Sequence, residues 1–180
     1  MAGDRSKVVV AVAGQVLIGA YVSAKAAGTL TDVGYKKGGI RWGPSFEPYL
    51  VEPDETLTPV RAVPSKREYE LKIPMMQAEL EKARVAMGQP AANLTGTPPD
   101  LTLNVDANAG EQYHQIKVIA AGGGVGTTGA RTCSYWRCYL KSVAEIPFLK
   151  DGEQMYDMTF GVLYEETGTG SDTICKWADT

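Results

Sequence analysis

Two stretches, "REYELKI" at residues 67 to 73 and "MYDMTFGVLY" at 155 to 164, alternate apolar and polar side chains with a period of two. In the first, Tyr69, Leu71 and Ile73 alternate with Glu68, Glu70 and Lys72; in the second, Tyr156, Met158, Phe160, Val162 and Tyr164 share one face. A helix would scatter both sets around its surface, whereas a strand sends successive side chains to opposite faces. The pattern therefore predicts antiparallel strands with one face in a core and the other in water. Two short strands are expected around Gly14-Gln15, and others at 33–46, 101–106, 113–121 and 132–146. Turn signals such as Asn108-Ala109-Gly110 and Asp151-Gly152 separate them. The expectation is one mainly β domain over 1–180, and that length is enough for a proper core.

One segment breaks the period. In "PMMQAELEKARVAMG", residues 74 to 88, Met76, Leu80, Ala83 and Met87 fall on one helical face. Pro74 suits a first turn, Glu79 and Glu81 precede Lys82 and Arg84, and Gly88 fits a C-terminal cap. These features predict a helix over about 75–88 that lays its Met-bearing stripe on the sheet, which explains the stripe without a ligand. The stretch 44–65, "PSFEPYLVEPDETLTPVRAVPS", repeats proline, is acidic in its first half and lacks regular periodicity. It is expected to be a long hairpin loop. Loops beyond about 12 to 15 residues are commonly functional or disordered, and proline lowers the entropy lost when one is fixed against a partner.

Several features imitate other functions. Gly124-x-Gly126-x-x-Gly129 follows an apolar run with the spacing of a dinucleotide-binding turn, which requires a helix next. The following residues, Thr132 to Leu140, are rich in aromatic and β-favouring types, so the glycines are expected to join two strands. "VVVAVAGQVLIGA", residues 8 to 20, resembles the core of a signal peptide, but Gly14 and Gln15 interrupt it. It also falls short of the roughly 20 apolar residues that a membrane span needs. The expected protein is soluble and has no membrane partner. Cys133, Cys138 and Cys175 are an odd set without zinc-like spacing, and His114 is the sole histidine, so neither a metal site nor a cofactor site is expected. The odd separation of Cys133 and Cys138 puts them on opposite faces of a regular strand, and reduced thiols are expected. A net charge of −3 with 44% hydrophobic and 22% charged residues lacks the basic excess of tight nucleic-acid binding. Catalysis by Ser134 or Cys133 would need a general base, for which His114 is the lone histidine available. No catalytic residue is assigned and the expected protein is not an enzyme.

"GTLTDVGYKKGGI" at 28 to 40, the acidic proline-containing hairpin, the "REYELKI" strand, the short helix ending at Gly88 and the late "MYDMTFGVLYEE" strand follow in one order. Over about Val16 to Glu166 that series resembles the major tail tube proteins of long-tailed, siphovirus-like bacteriophages. The resemblance implies an antiparallel β-sandwich or partial barrel with a flanking helix; residues 1–14 and 167–180 fall outside the matched range and are expected as an N-terminal and a C-terminal arm. It implies homohexameric rings whose sheets join into an inner barrel and stack head-to-tail into a tube. The implied partners are further copies of the chain, other tail proteins at the tube ends, and double-stranded DNA crossing the lumen without tight binding during ejection. The implied location is the virion tail, assembled in the host cytoplasm. The contact between rings falls on the hairpin, with Glu47, Tyr49, Leu50, Val51, Glu52, Asp54, Glu55, Leu57 and Arg61 as candidates. The tube of a contractile tail or secretion machine, and a non-catalytic β-sandwich ligand-binding module, are the alternative readings.

Overall fold

The computed structural model describes residues 14–23, 26, 28–36, 38–51, 61–76, 79–121, 130–144, 155–165 and 174–179. The predicted alternation becomes two central strands. β1 (Gln15–Ala20), β2 (Thr31–Asp32), β3 (Arg41–Val51) and β4 (Arg61–Met75) come first. The helix α1 (Leu80–Ala86), a 3-10 turn at Ala91–Asn93, and the short strands β5 (Leu94–Thr97) and β6 (Asp100–Leu103) follow. β7 (Tyr113–Ala121), β8 (Ala130–Val143), β9 (Tyr156–Leu163) and β10 (Cys175–Asp179) complete the chain. The main sheet runs β2-β1-β7-β8-β9-β4-β3, with β10 also on β8, and every pairing is antiparallel. Its ends β2 and β3 do not pair with each other, so the fold is an open, sandwich-like β architecture rather than a closed barrel.

Leu71, Ile73 and Met75 of β4 meet Tyr156, Met158, Phe160 and Val162 of β9 in one core. Val16, Ile18, Ile116, Tyr135 and the buried face of α1 join them. Tyr164, expected on the β9 core face, lies beyond the last β9 residue and is exposed. β7 matches its expected limits. The connection between β7 and β8 joins paired antiparallel strands, as expected of a hairpin, and a strand stands where nucleotide binding needs a helix. The glycines themselves, 122–129, lie outside the described residues, as do the strand expected before Gly14 and the Asp151-Gly152 turn.

Four departures have physical causes. First, α1 starts at Leu80, because Pro74 and Met75 pair with Asp157 and Tyr156 and so continue β4. A seven-residue helix owes its stability to packing rather than propensity. Its buried residues are Ala83, Val85 and Ala86, while Leu80 is exposed and Met76 and Met87 are half-buried. Gly88 does close the helix, at φ +63°, a conformation that suits glycine. Second, the strand expected from 33 is delayed to Arg41 by Gly34, Gly38 and Gly39, all at positive φ. Third, Val105 projects into water past the end of β6, whose partner β5 carries no alternation strong enough to announce it. Fourth, Cys133 and Cys138 do not lie on opposite faces: both are buried. His114 pairs with Cys138 and Ile116 with Tyr135, so between these pairs the single Gln115 of β7 opposes Trp136 and Arg137 of β8. That bulge adds one residue to β8 and reverses its phase. No disulfide joins the three cysteines.

Candidate assembly surface

The proline-rich stretch is mostly strand. β3 and β4 stay paired from Arg41↔Lys72 out to Val51↔Arg61, whereas β4 pairs with β9 only from Glu70 inward. Beyond Glu70, therefore, residues 44–51 and 61–69 form a two-stranded arm that leaves the sheet. The expectation of a long loop over 44–65 is corrected at 44–51 and 61–65, which are strand; 52–60 lie outside the described residues. The prolines are tolerated because β3 is an edge strand, where a missing N–H breaks no ladder on the open side. Pro48 faces Pro64 next to a register shift at Glu47/Pro48, so the ladder is already irregular there.

Much of the arm surface is apolar. Phe46 is 58% exposed, Tyr49 64%, Leu50 46% and Val63 36%, and all four lie on the arm. Of the candidate contact residues, Glu47, Tyr49, Leu50 and Val51 lie on β3 and Arg61 opens β4. Glu52, Asp54, Glu55 and Leu57 lie outside the described residues. The Arg67 guanidinium sits 6.0 Å from the Phe46 ring centroid, at the outer reach of a cation–π contact, and the ring stays largely exposed.

The sheet face opposite the core carries mixed charge. β4 turns Glu68, Glu70 and Lys72 to this side, and the register places Arg41, Gly43, Ser45 and Glu47 beside them. Lys141 Nζ lies 2.6 Å from Glu70 and 3.3 Å from Glu68, and Lys66 lies 2.6 Å from Glu68. Hydrogen bonds to Glu70 and Glu68 raise the Lys141 pKa to about 12, and Lys66 and Lys141 together lower that of Glu68. At the centre of the face the Tyr139 ring covers Gly161, its register partner, and a Cβ there would fall 2.3 Å from Tyr139 Cε1.

No family model and no curated protein matches the chain. Among solved structures, a chain of the anti-feeding prophage (AFP) baseplate, determined by cryo-EM and 6-fold symmetrised, is similar over 99% of this chain and 97% of that one. The TM-score is 0.47 and the identity 8%, a likeness that assigns neither partner nor activity.

Two further groupings escaped sequence reasoning. At the root of the arm, Trp42 of β3 stacks on Tyr69 of β4, with centroids 6.0 Å apart and rings 20° from parallel. Trp177 of β10 meets Trp42 edge-on at 5.4 Å. Nothing in the sequence joins positions 42 and 177 until β10 is known to lie on β8. The second grouping is a half-open cleft of about 260 Å³ between α1 and the β1–β7 pair, lined by Asp32, Lys82, Arg84, Tyr113 and His114 among others. His114 is 5% exposed, its Nε2 has no hydrogen-bond partner, and its ring meets Phe160 edge-on at 5.9 Å. Burial, and then the nearby Arg84 charge, lower its pKa from 6.5 to about 4. Packing against Phe160 and the depressed pKa keep this imidazole neutral near pH 7. Among the described residues no cluster of His, Cys, Asp and Glu is arranged to hold a metal ion.

Proposed function

We propose that this chain is a structural, non-catalytic subunit of a phage tail tube, joining its open sheet to those of neighbours in hexameric rings that stack through the β3–β4 arm. The observation that carries the reading is the arm itself: a paired ribbon that outruns its sheet and exposes Phe46, Tyr49, Leu50 and Val63. A bare apolar ribbon is a liability on a monomer and a contact in a polymer. When the arm of one copy meets a different surface of the next, the contact is heterologous and propagates as a filament.

The sheet ends support the same reading, since β2 and β3 leave edges that a ring of copies would pair. The mixed-charge face suits the lumen. Basic side chains grip DNA by releasing counterions from its phosphates, and here Lys66 and Lys141 are already engaged by Glu68 and Glu70. Double-stranded DNA would pass such a wall without being held. Other tail proteins would bind the arms and sockets left free at the tube ends, in a virion tail assembled in the host cytoplasm.

Negative-stain microscopy of the purified chain, beside a variant lacking residues 50–60, tests the proposal. The expected result is tubes from the full chain, and from the variant a folded protein that forms rings or smaller species but no tubes. Monodisperse monomers from the full chain at every concentration would overturn it.

A further inference from the structure

β9 and β10 lie end to end along one edge of β8. β9 takes Arg137 to Val143, β10 takes Arg131 to Tyr135, and β7 occupies the other edge across both halves. β9 also pairs with β4, but β10 has no such partner among the described residues, so the sheet divides at this point. One branch ends in β10 and the other in the arm. A two-stranded ribbon twists easily and holds no fixed direction by its own hydrogen bonds. Its direction must be set at the root, and there the two branches are tied by aromatic rings: Tyr69 on β4, Trp42 on β3 and Trp177 on β10.

We infer that Trp177 is a positioning residue and that β10 is a strap fixing the angle at which the arm leaves the sheet. This deepens the stacking role proposed above and rests on that reading for its purpose, though not for its geometry. β10 is suited to the task because its five register pairs anchor it to β8 where Cys133 and Tyr135 enter the core. Trp177 can then bear on Trp42 from a fixed backbone. Trp42 is itself half-buried beside Leu71, its register partner, so a push at its ring is felt where β3 and β4 leave the core. Trp177 is 50% exposed, so half of its indole is free of the core while its edge bears on Trp42. Without the strap the arm would sample a range of directions, and each stacking event would have to select one of them.

Hydrogen exchange followed by mass spectrometry tests the inference on the dispersed subunit, independently of tube formation. In Trp177→Ala, amides of β3 and β4 from Arg41 to Glu47 and from Lys66 to Tyr69 should exchange roughly 2- to 13-fold faster, the change expected for one lost aromatic pair. Amides of β7 and β9 should be unchanged, and Trp177→Phe should restore protection because an edge-on ring contact survives. Should the alanine variant fail to fold, Trp177→Leu, which keeps apolar bulk without a ring, takes its place with the same expected pattern. Unchanged exchange in the arm, or acceleration spread equally over β7 and β9, would overturn the strap. If the wild-type chain forms no tubes, the proposed function falls while the exchange data still decide the strap. If it does form them, Trp177→Ala should stack into shorter ones than Trp177→Phe.

Discussion

His114 makes folding stability depend on pH in a window that can be calculated. Its pKa falls from 6.5 to about 4 on folding, first through burial and then through Arg84. A depressed pKa in a basic group means that the unfolded chain binds the proton more tightly. Stability is therefore fully present above pH 6.5 and is lost as the pH falls from 6.5 toward 4. A shift of about 2.5 units corresponds to roughly 3 kcal/mol in the limit, and the two-state linkage relation gives about 2 kcal/mol by pH 5. His114 is the sole histidine, so between pH 6.5 and 5 little else contributes to the slope. Urea unfolding at pH 7, 6 and 5, with wild type beside His114→Gln, isolates it. Wild type should lose about 2 kcal/mol across that range and the variant a small fraction of it. Its single imidazole resonance should titrate well below 6. A variant with the wild-type pH slope, or an imidazole titrating near 6.5, would refute the claim that the ring is held neutral by packing.

Gly161→Val would drive a side chain into the Tyr139 ring, at a cost of about 1 to 3 kcal/mol in urea unfolding, and adding Tyr139→Ser should recover most of it. Tyr49→Ser with Leu50→Ser alters exposed arm residues, so melting by circular dichroism should stay within about 0.5 kcal/mol of wild type while sedimentation shows tubes lost. Glu68→Lys with Glu70→Lys removes both acidic partners of Lys141 and should slow DNA exit from assembled tails at low salt, with recovery at high salt. Glu81→Lys on α1, away from that face, is the control, and an equal effect from it would argue against a lumen at β4.

Where one periodicity ruled a segment, the fold could be read directly. Leu71 and Ile73 in β4, and Met158 and Phe160 in β9, enter the core as their alternation demands. β7 matches its expected limits without such a period, since His114, Gln115 and Ile116 are buried in succession. The helix was misplaced at its start because Pro74 and Met75 satisfy helix-start rules locally while the sheet supplies β4 with a partner in β9, and tertiary pairing outweighs propensity. The arm reads as a loop because residues 44–65 lack regular periodicity, and their repeated prolines, excluded from central strands, are tolerated in β3 at the edge. The bulge that brings Cys133 and Cys138 to one core has no local mark, since it depends on how β8 registers against β7. In the candidate surface, the apolar content of Tyr49 and Leu50 was visible in the sequence. The aromatic tie of Trp42, Tyr69 and Trp177 was not, because it is made by strands far apart in the chain.

Cryo-EM of the purified chain at increasing concentration tests the central claim most directly. The account predicts stacked rings of six copies, with the paired β3 and β4 density of each copy reaching into the adjacent ring and the Glu68, Glu70 and Lys141 face lining the channel. A stable monomer, or an assembly in which the arm lies in solvent and that face points outward, would contradict it.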